Sequence, residues 1–137
     1  EMFAGNEAGA KAHAQVAHDA LKKRLDERPD LPLSRIAFAT MLAILGDKDR
    51  ALAEADRAVA DAPMAKDAIV GAELRDQVAA LHAWLGLHDR ALTELAETLG
   101  MPFGSYAPLV RLSPFWDGLR DDARFKKLVA DNLPKED

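Results

Sequence analysis

Residues 44–63 read ILGDKDRALAEADRAVADAP, and 40 positions further on residues 84–103 read WLGLHDRALTELAETLGMPF. Between 45–54 and 85–94, seven of ten positions are identical: Leu45/Leu85, Gly46/Gly86, Asp49/Asp89, Arg50/Arg90, Ala51/Ala91, Leu52/Leu92 and Glu54/Glu94. The same offset pairs Arg35 with Arg75, Ala39 with Ala79 and Ala43 with Ala83. Self-similarity at a period of about 20–50 residues marks stacked supersecondary units, each too small to bury its apolar faces alone.

Outward from this echo the chain reads as helices. Upstream, Ala8, Ala12, Val16 and Ala20, joined by Ala17, Leu21 and Leu25, recur at the helical period and predict a helix over about residues 7–28 with that stripe inward. Lys22, Lys23, Arg24 and Arg28 crowd its C-terminal end, where they complement the helix dipole as a solvated end rather than a ligand site. Pro29 and Pro32 stop it. A second helix, LSRIAFATMLAIL, ends at Gly46, which supplies the left-handed residue that closes the last turn; Gly86 does the same in the second copy. Asp47 is placed to cap the following helix, about residues 48–62, whose inward face is Ala51, Leu52, Ala55, Ala58 and Val59. Leu87 has no capping oxygen, so the second copy must use another group or water. Its helices are predicted over 72–85 and 88–99, the latter with Ala91, Leu92, Leu95 and Leu99 as its stripe. Helices joined by so short a turn lie antiparallel, and the recurrent alanines at the crossings allow close approach.

These residues resemble tetratricopeptide repeats. The family pattern has a glycine at the inter-helix turn, an alanine, a further small residue and a proline, matched by Gly46, Ala51, Ala58 and Pro63. The second copy offers Gly86, Ala91, Thr98 and, one position early, Pro102. Family repeats are about 34 residues long, so a spacing of 40 implies an insertion, placed at residues 64–71. The resemblance implies an all-α solenoid fragment of stacked antiparallel hairpins with a C-terminal capping helix. One helix over about residues 7–32 completes an earlier repeat, 33–63 and 72–102 are hairpins, and 103–137 is the cap, all within a single domain. The segment LVRLSPFWDGLRDDARFKKLVADN carries a second resemblance, to the region closing repeat arrays in bacterial multidomain signalling proteins with adenylate-cyclase, kinase or winged-helix modules. Its matching residues are Leu112, Pro114, Trp116, Asp117, Leu119, Arg120, Asp122, Arg124, Phe125 and Leu128. Ser113 and Pro114 start a helical turn, Asp121 or Asp122 caps a last helix with Phe125, Leu128 and Val129 inward, and the aromatic residues cover a final apolar face.

Composition narrows the function classes. With 18 basic and 23 acidic residues the net charge is −5, which gives no chain-wide attraction to nucleic acid or to an anionic membrane. No cysteine is present, which removes thiolate chemistry and disulfides and leaves the compartment open. No apolar run reaches the roughly 20 residues that span a bilayer. The chain starts at Glu1, and it is read as a piece of a longer, cytoplasmic protein. His13, His18, His82 and His88 are spaced by five and six in their near pairs, not by the three or four that place two ligands on one helical face. A calcium-type loop starting at Asp47 fails at Ala51, Leu52 and Ala58. Ser34, Ser105 and Ser113 lack a strained elbow or a neighbouring histidine. No enzyme, metal or cofactor is expected.

What remains is recognition of a protein or peptide. By the family resemblance, the first helices of the hairpins line the groove: Leu33, Ile36, Thr40 and Ala43, then Glu73, Asp76, Gln77, Ala80 and Ala83. That half-apolar, half-acidic lining is not the lysine- and asparagine-rich clamp for a terminal carboxylate, and it fits a basic or apolar segment. The alternative is an intramolecular scaffold or dimerisation region, including a homodimer, within a larger bacterial signalling or regulatory protein.

Overall fold

The structure is a computed structural model that describes residues 5–63 and 66–134 of the chain. Among the described residues it is all helical, without strand. In chain order the elements are α1 (Glu7–Glu27), α2 (Pro32–Leu45), α3 (Lys48–Asp61), α4 (Ala68–Trp84), α5 (His88–Leu99), α6 (Ala107–Leu112), a 3-10 helix (Pro114–Leu119) and α7 (Ala123–Asp131). No described helix is long and apolar enough to cross a membrane. The chain divides into two compact units, one running through Leu74 and the other starting at Arg75, so the boundary falls inside α4.

The two turns that the sequence echo points to close identically. Gly46 has φ 93° and donates its N–H to the Ala43 carbonyl at 3.1 Å, while the Asp47 N–H reaches back to Leu42 at 2.9 Å. Gly86 has φ 81°, its N–H bonds Ala83 at 3.1 Å, and the Leu87 N–H bonds His82 at 2.9 Å. Both are Schellman closures, in which a left-handed residue lets two backbone donors satisfy the orphan carbonyls at a helix end. As expected, the Asp47 side chain caps α3 by accepting from the Arg50 N–H, and Leu87 provides no side-chain cap to α5.

In the first unit α2 packs along both α1 and α3. Ala39 of α2 and Ala51, Ala55 and Ala58 of α3 are completely buried, which lets the helices approach closely. Arg35, near the start of α2, holds Glu54 of α3 at 2.8 Å and lies 3.4 Å from Asp61 at the end of α3, so the pair runs antiparallel. The face of α1 differs from the expectation. Ala10, Ala14 and Leu25 are buried with Ala17 and Leu21 half-buried, whereas Ala8, Ala12 and Ala20 face solvent and Val16 is 71% exposed. Alanine spreads around much of α1, so the sequence offers two apolar stripes of nearly equal strength, and packing chooses the one that brings His18 against Phe38, ring centroids 4.9 Å apart.

Helix α4 begins four residues earlier than its periodicity predicts. The Asp67 carboxylate accepts from the backbone N–H groups of Ile69 and Val70, each at 3.0 Å, and this cap draws the end of the proposed insertion into the helix. Met64 and Ala65, the start of that insertion, lie outside the described residues.

The second unit is built around one core. Ala79 and Ala83 of α4, Ala91, Leu92 and Leu95 of α5, Ala107 and Val110 of α6, Trp116 and Leu119 of the 3-10 helix, and Phe125 and Val129 of α7 pack together. The Trp116 and Phe125 rings stack at 5.7 Å, and Phe115 meets Trp84 edge-on at 5.7 Å. Phe115, Trp116 and Phe125 therefore serve packing. Asp122 caps α7 by accepting from the Arg124 N–H at 2.8 Å. The Arg124 guanidinium pairs with Asp122 and reaches Asp89 of α5, both at 2.8 Å. These contacts, led by the Arg124 side-chain hydrogen bond and then its backbone N–H, hold the Asp122 carboxyl down at about 2.

Candidate partner-binding surface

The residues expected to line a groove have unequal standing. In the first unit, Ile36 is completely buried and belongs to the core. Leu33, Thr40 and Ala43 are half-buried, the Thr40 hydroxyl bonding the Ile36 carbonyl at 3.0 Å; Glu73 is exposed on α4. In the second unit Gln77 is exposed, Ala80 is half-buried against the core, and Ala83 is buried in it. Burial of Ile36 and Ala83 removes them as contact residues, because their apolar surface is already withdrawn from water by packing.

Asp76 is committed elsewhere. Its carboxylate accepts a short hydrogen bond from the Ser105 hydroxyl. Ser105 Oγ also lies 2.7 Å from the Thr98 hydroxyl, which in turn bonds the Glu94 and Leu95 carbonyls of its own helix. Thr98 stands where the first copy has Ala58, and its buried hydroxyl is tolerated because every one of these partners is in place. The chain of bonds pins the segment after α5 onto α4. The Ser105 N–H bonds the Thr98 carbonyl at 3.1 Å, and the approach is so close that a Cβ on Gly104 would lie 2.2 Å from that carbonyl oxygen.

A second buried polar site lies nearby in sequence. His82 is completely buried, with Nδ1 2.7 Å from Glu94, which also receives Arg90 at 3.1 Å; His82 Nε2 is buried without a hydrogen-bond partner. The His82–Glu94 contact joins α4 to α5. Among the described residues no group of three or more metal-ligating side chains converges.

The pinned segment presents what sequence reasoning passed over. Phe103 adopts φ 63°, in the left-handed region that bulky residues avoid, and its side chain is 68% exposed. Tyr106, Leu109 and Leu112 follow at intervals of three, each more than half exposed. Four large apolar residues exposed within ten positions are a local concentration of apolar surface. The signal was present: the run MPFGSYAPLVRLSPFW, residues 101–116, contains a single charge, Arg111, and depletion of charge with retention of aromatic residues characterises interface cores. Phe115, Trp116, Leu119 and Phe125, the residues expected to cover an apolar face, pack into the core of the second unit; Phe103, Tyr106, Leu109 and Leu112 carried no such expectation. Comparison with protein-family models, with curated proteins and with solved structures finds no match for this chain.

Proposed function

We propose that this chain is a non-catalytic protein–protein interaction module of tetratricopeptide-repeat type, in which stacked helical hairpins carry a recognition surface. The observation that supports it best is Phe103. A bulky residue held at positive φ costs on the order of 1–3 kcal/mol, and here the Asp76–Ser105–Thr98 bonds and the close seat of Gly104 maintain that conformation while the ring points to water. Tyr106, Leu109 and Leu112 extend the same charge-poor segment. The paired Schellman turns support the repeat reading, since local closure recurs at the spacing of the sequence echo. Partner contact through Phe103 and α6 replaces the groove as the main recognition surface, with Gln77 of the same unit as a secondary, polar contact.

The second reading is an intramolecular scaffold or dimerisation region of a larger bacterial signalling protein, in which the same apolar residues are covered by another part of the parent chain or by a second copy. One experiment separates the two. A photo-crosslinking amino acid is placed at Leu109, and another at Gln77, in cells that express the protein. Adducts from position 109 to a different polypeptide support the interaction module, whereas adducts within the chain or to a second copy support the scaffold. Failure to crosslink at 109 together with efficient crosslinking at 77 transfers recognition to α4.

A further inference from the structure

The second unit contains a pocket of about 350 Å³ lined from α6, from Arg120 just after the 3-10 helix, and from α7 and Leu133 beyond it. Phe125, Val129, Ala130 and Leu133 form its apolar lining, and among the described residues Arg111, Arg120 and Lys126 are the charged groups that line it. The three cations differ in availability. The Arg120 guanidinium is fixed, pairing with Asp117 at 2.6 Å and donating to the backbone carbonyls of Arg111 and Ser113. It forms a wall whose charge is already balanced. Lys126 lies 3.7 Å from the fully exposed Asp121, a long and solvated pairing, and Arg111 is exposed on α6 with no ion pair among the described residues. Lys127, one residue along α7, is held by Asp131 at 2.6 Å and does not line the pocket. A chain with net charge −5 thus lines an apolar recess with two lightly compensated cations.

We infer that this pocket docks an acidic peptide segment of a partner protein through a single apolar anchor side chain, with flanking carboxylates facing Arg111 and Lys126. The inference rests on the interaction-module reading and names a partner chemistry for it. Charge complementarity decides against a basic segment at this site. The volume lies at the small end of the range for ligand pockets, about 300–1,000 Å³, which is room for one large side chain and its backbone rather than for an extended ligand. Partner side chains that anchor in such recesses carry most of the interface energy, and the surrounding charges set specificity and approach.

The test is selection of a phage-displayed library of random dodecapeptides on the full chain, followed by fluorescence anisotropy of the enriched peptides with variants. Enrichment of peptides with Asp or Glu flanking Leu or Phe is expected, with affinity lost roughly tenfold or more in Arg111→Glu/Lys126→Glu, weakened by added salt, and unchanged in Lys127→Glu. Circular dichroism of each variant checks that the exposed substitutions leave the fold intact. Acidic peptides that bind Arg111→Glu/Lys126→Glu as well as the parent chain overturn the site. Enrichment of basic peptides overturns the partner chemistry while sparing the interaction-module reading, and enrichment of nothing above a scrambled control counts against both.

Discussion

Four glycines provide a graded test of the local geometry. Gly46 and Gly86 sit at φ 93° and 81°, and a Cβ added at either meets nothing within 4 Å. The cost of a side chain there is therefore conformational and not steric: an L-residue in the left-handed region loses about 1–2 kcal/mol. Alanine recovers about 0.4–1 kcal/mol by restricting the unfolded chain, so Gly46→Ala and Gly86→Ala each cost about 1 kcal/mol. Valine at either site costs about 1–2 kcal/mol, and asparagine, which tolerates the left-handed region, under about 0.5 kcal/mol. Gly100 has φ −88°, and its added Cβ meets only the Glu97 carbonyl at 3.6 Å, an ordinary contact. Gly100→Ala is neutral or stabilises by up to about 0.5 kcal/mol. At Gly104 the Cβ would lie 2.2 Å from the Thr98 carbonyl oxygen, so the segment must lift, losing the Ser105 bonds; Gly104→Ala costs about 2 kcal/mol or more. Urea melts followed by far-UV circular dichroism measure the series, with an unchanged m-value required for each comparison. Asparagine as costly as valine at Gly46 would refute the left-handed explanation, and a neutral Gly104→Ala would refute the clamp that holds Phe103.

Other outcomes follow from single interactions. Ser105→Ala leaves the half-buried Asp76 carboxylate without its hydroxyl and costs about 1–2 kcal/mol, whereas Thr98→Ala costs under about 1 kcal/mol because the equivalent place in the first copy is filled by Ala58; denaturant melts in which the two were equal would argue against Asp76 as the anchor. His82→Leu, which installs the residue found at Leu42 in the first copy and leaves Glu94 with Arg90, is within about 1 kcal/mol of the parent, while His82→Ala opens a cavity and costs about 2 kcal/mol or more. The reverse order would mean that the His82–Glu94 bond, not volume, dominates the site. For Asp122 the folded carboxyl sits at about 2 against about 3.9 unfolded. Its charge therefore stabilises the protein above pH 4 or so, and this contribution disappears as the pH falls towards 2. The stability gap between the parent and Asp122→Asn, followed in thermal melts from neutral pH downward, narrows across that acid window. A gap independent of pH would show that the cap acts without its charge.

Much of the fold was legible because its determinants are short-range. A left-handed glycine after an apolar helical run, an aspartate before one, and a proline at a helix start each act on backbone groups within about five residues, so the two Schellman turns, the Asp47 cap and the helical class follow from sequence order alone, while the choice of Asp122 over Asp121 as the cap of α7 does not. The conserved spacing of Gly46 and Gly86 within the chain's own echo required no partner to interpret. The candidate surface was less legible. The family resemblance implies a groove place for Ile36, Asp76 and Ala83, but a place carried over from a resemblance does not say whether the surroundings have already taken up the side chain.

The tertiary structure alone decided which face of α1 is buried, because a helix rich in alanine around its circumference has no strong preference until a neighbour such as Phe38 meets it. It also decided that Asp76 bonds Ser105, 29 positions away, and that His82 meets Glu94 across a hairpin. Such pairings depend on how loop and helix dock, a choice made by packing over the whole unit. Phe103 owes its exposure to the same cause: the sequence provides an aromatic residue beside a glycine, but only the docked Ser105 and the close approach to Thr98 hold its backbone in a region it would otherwise leave, with the ring in water.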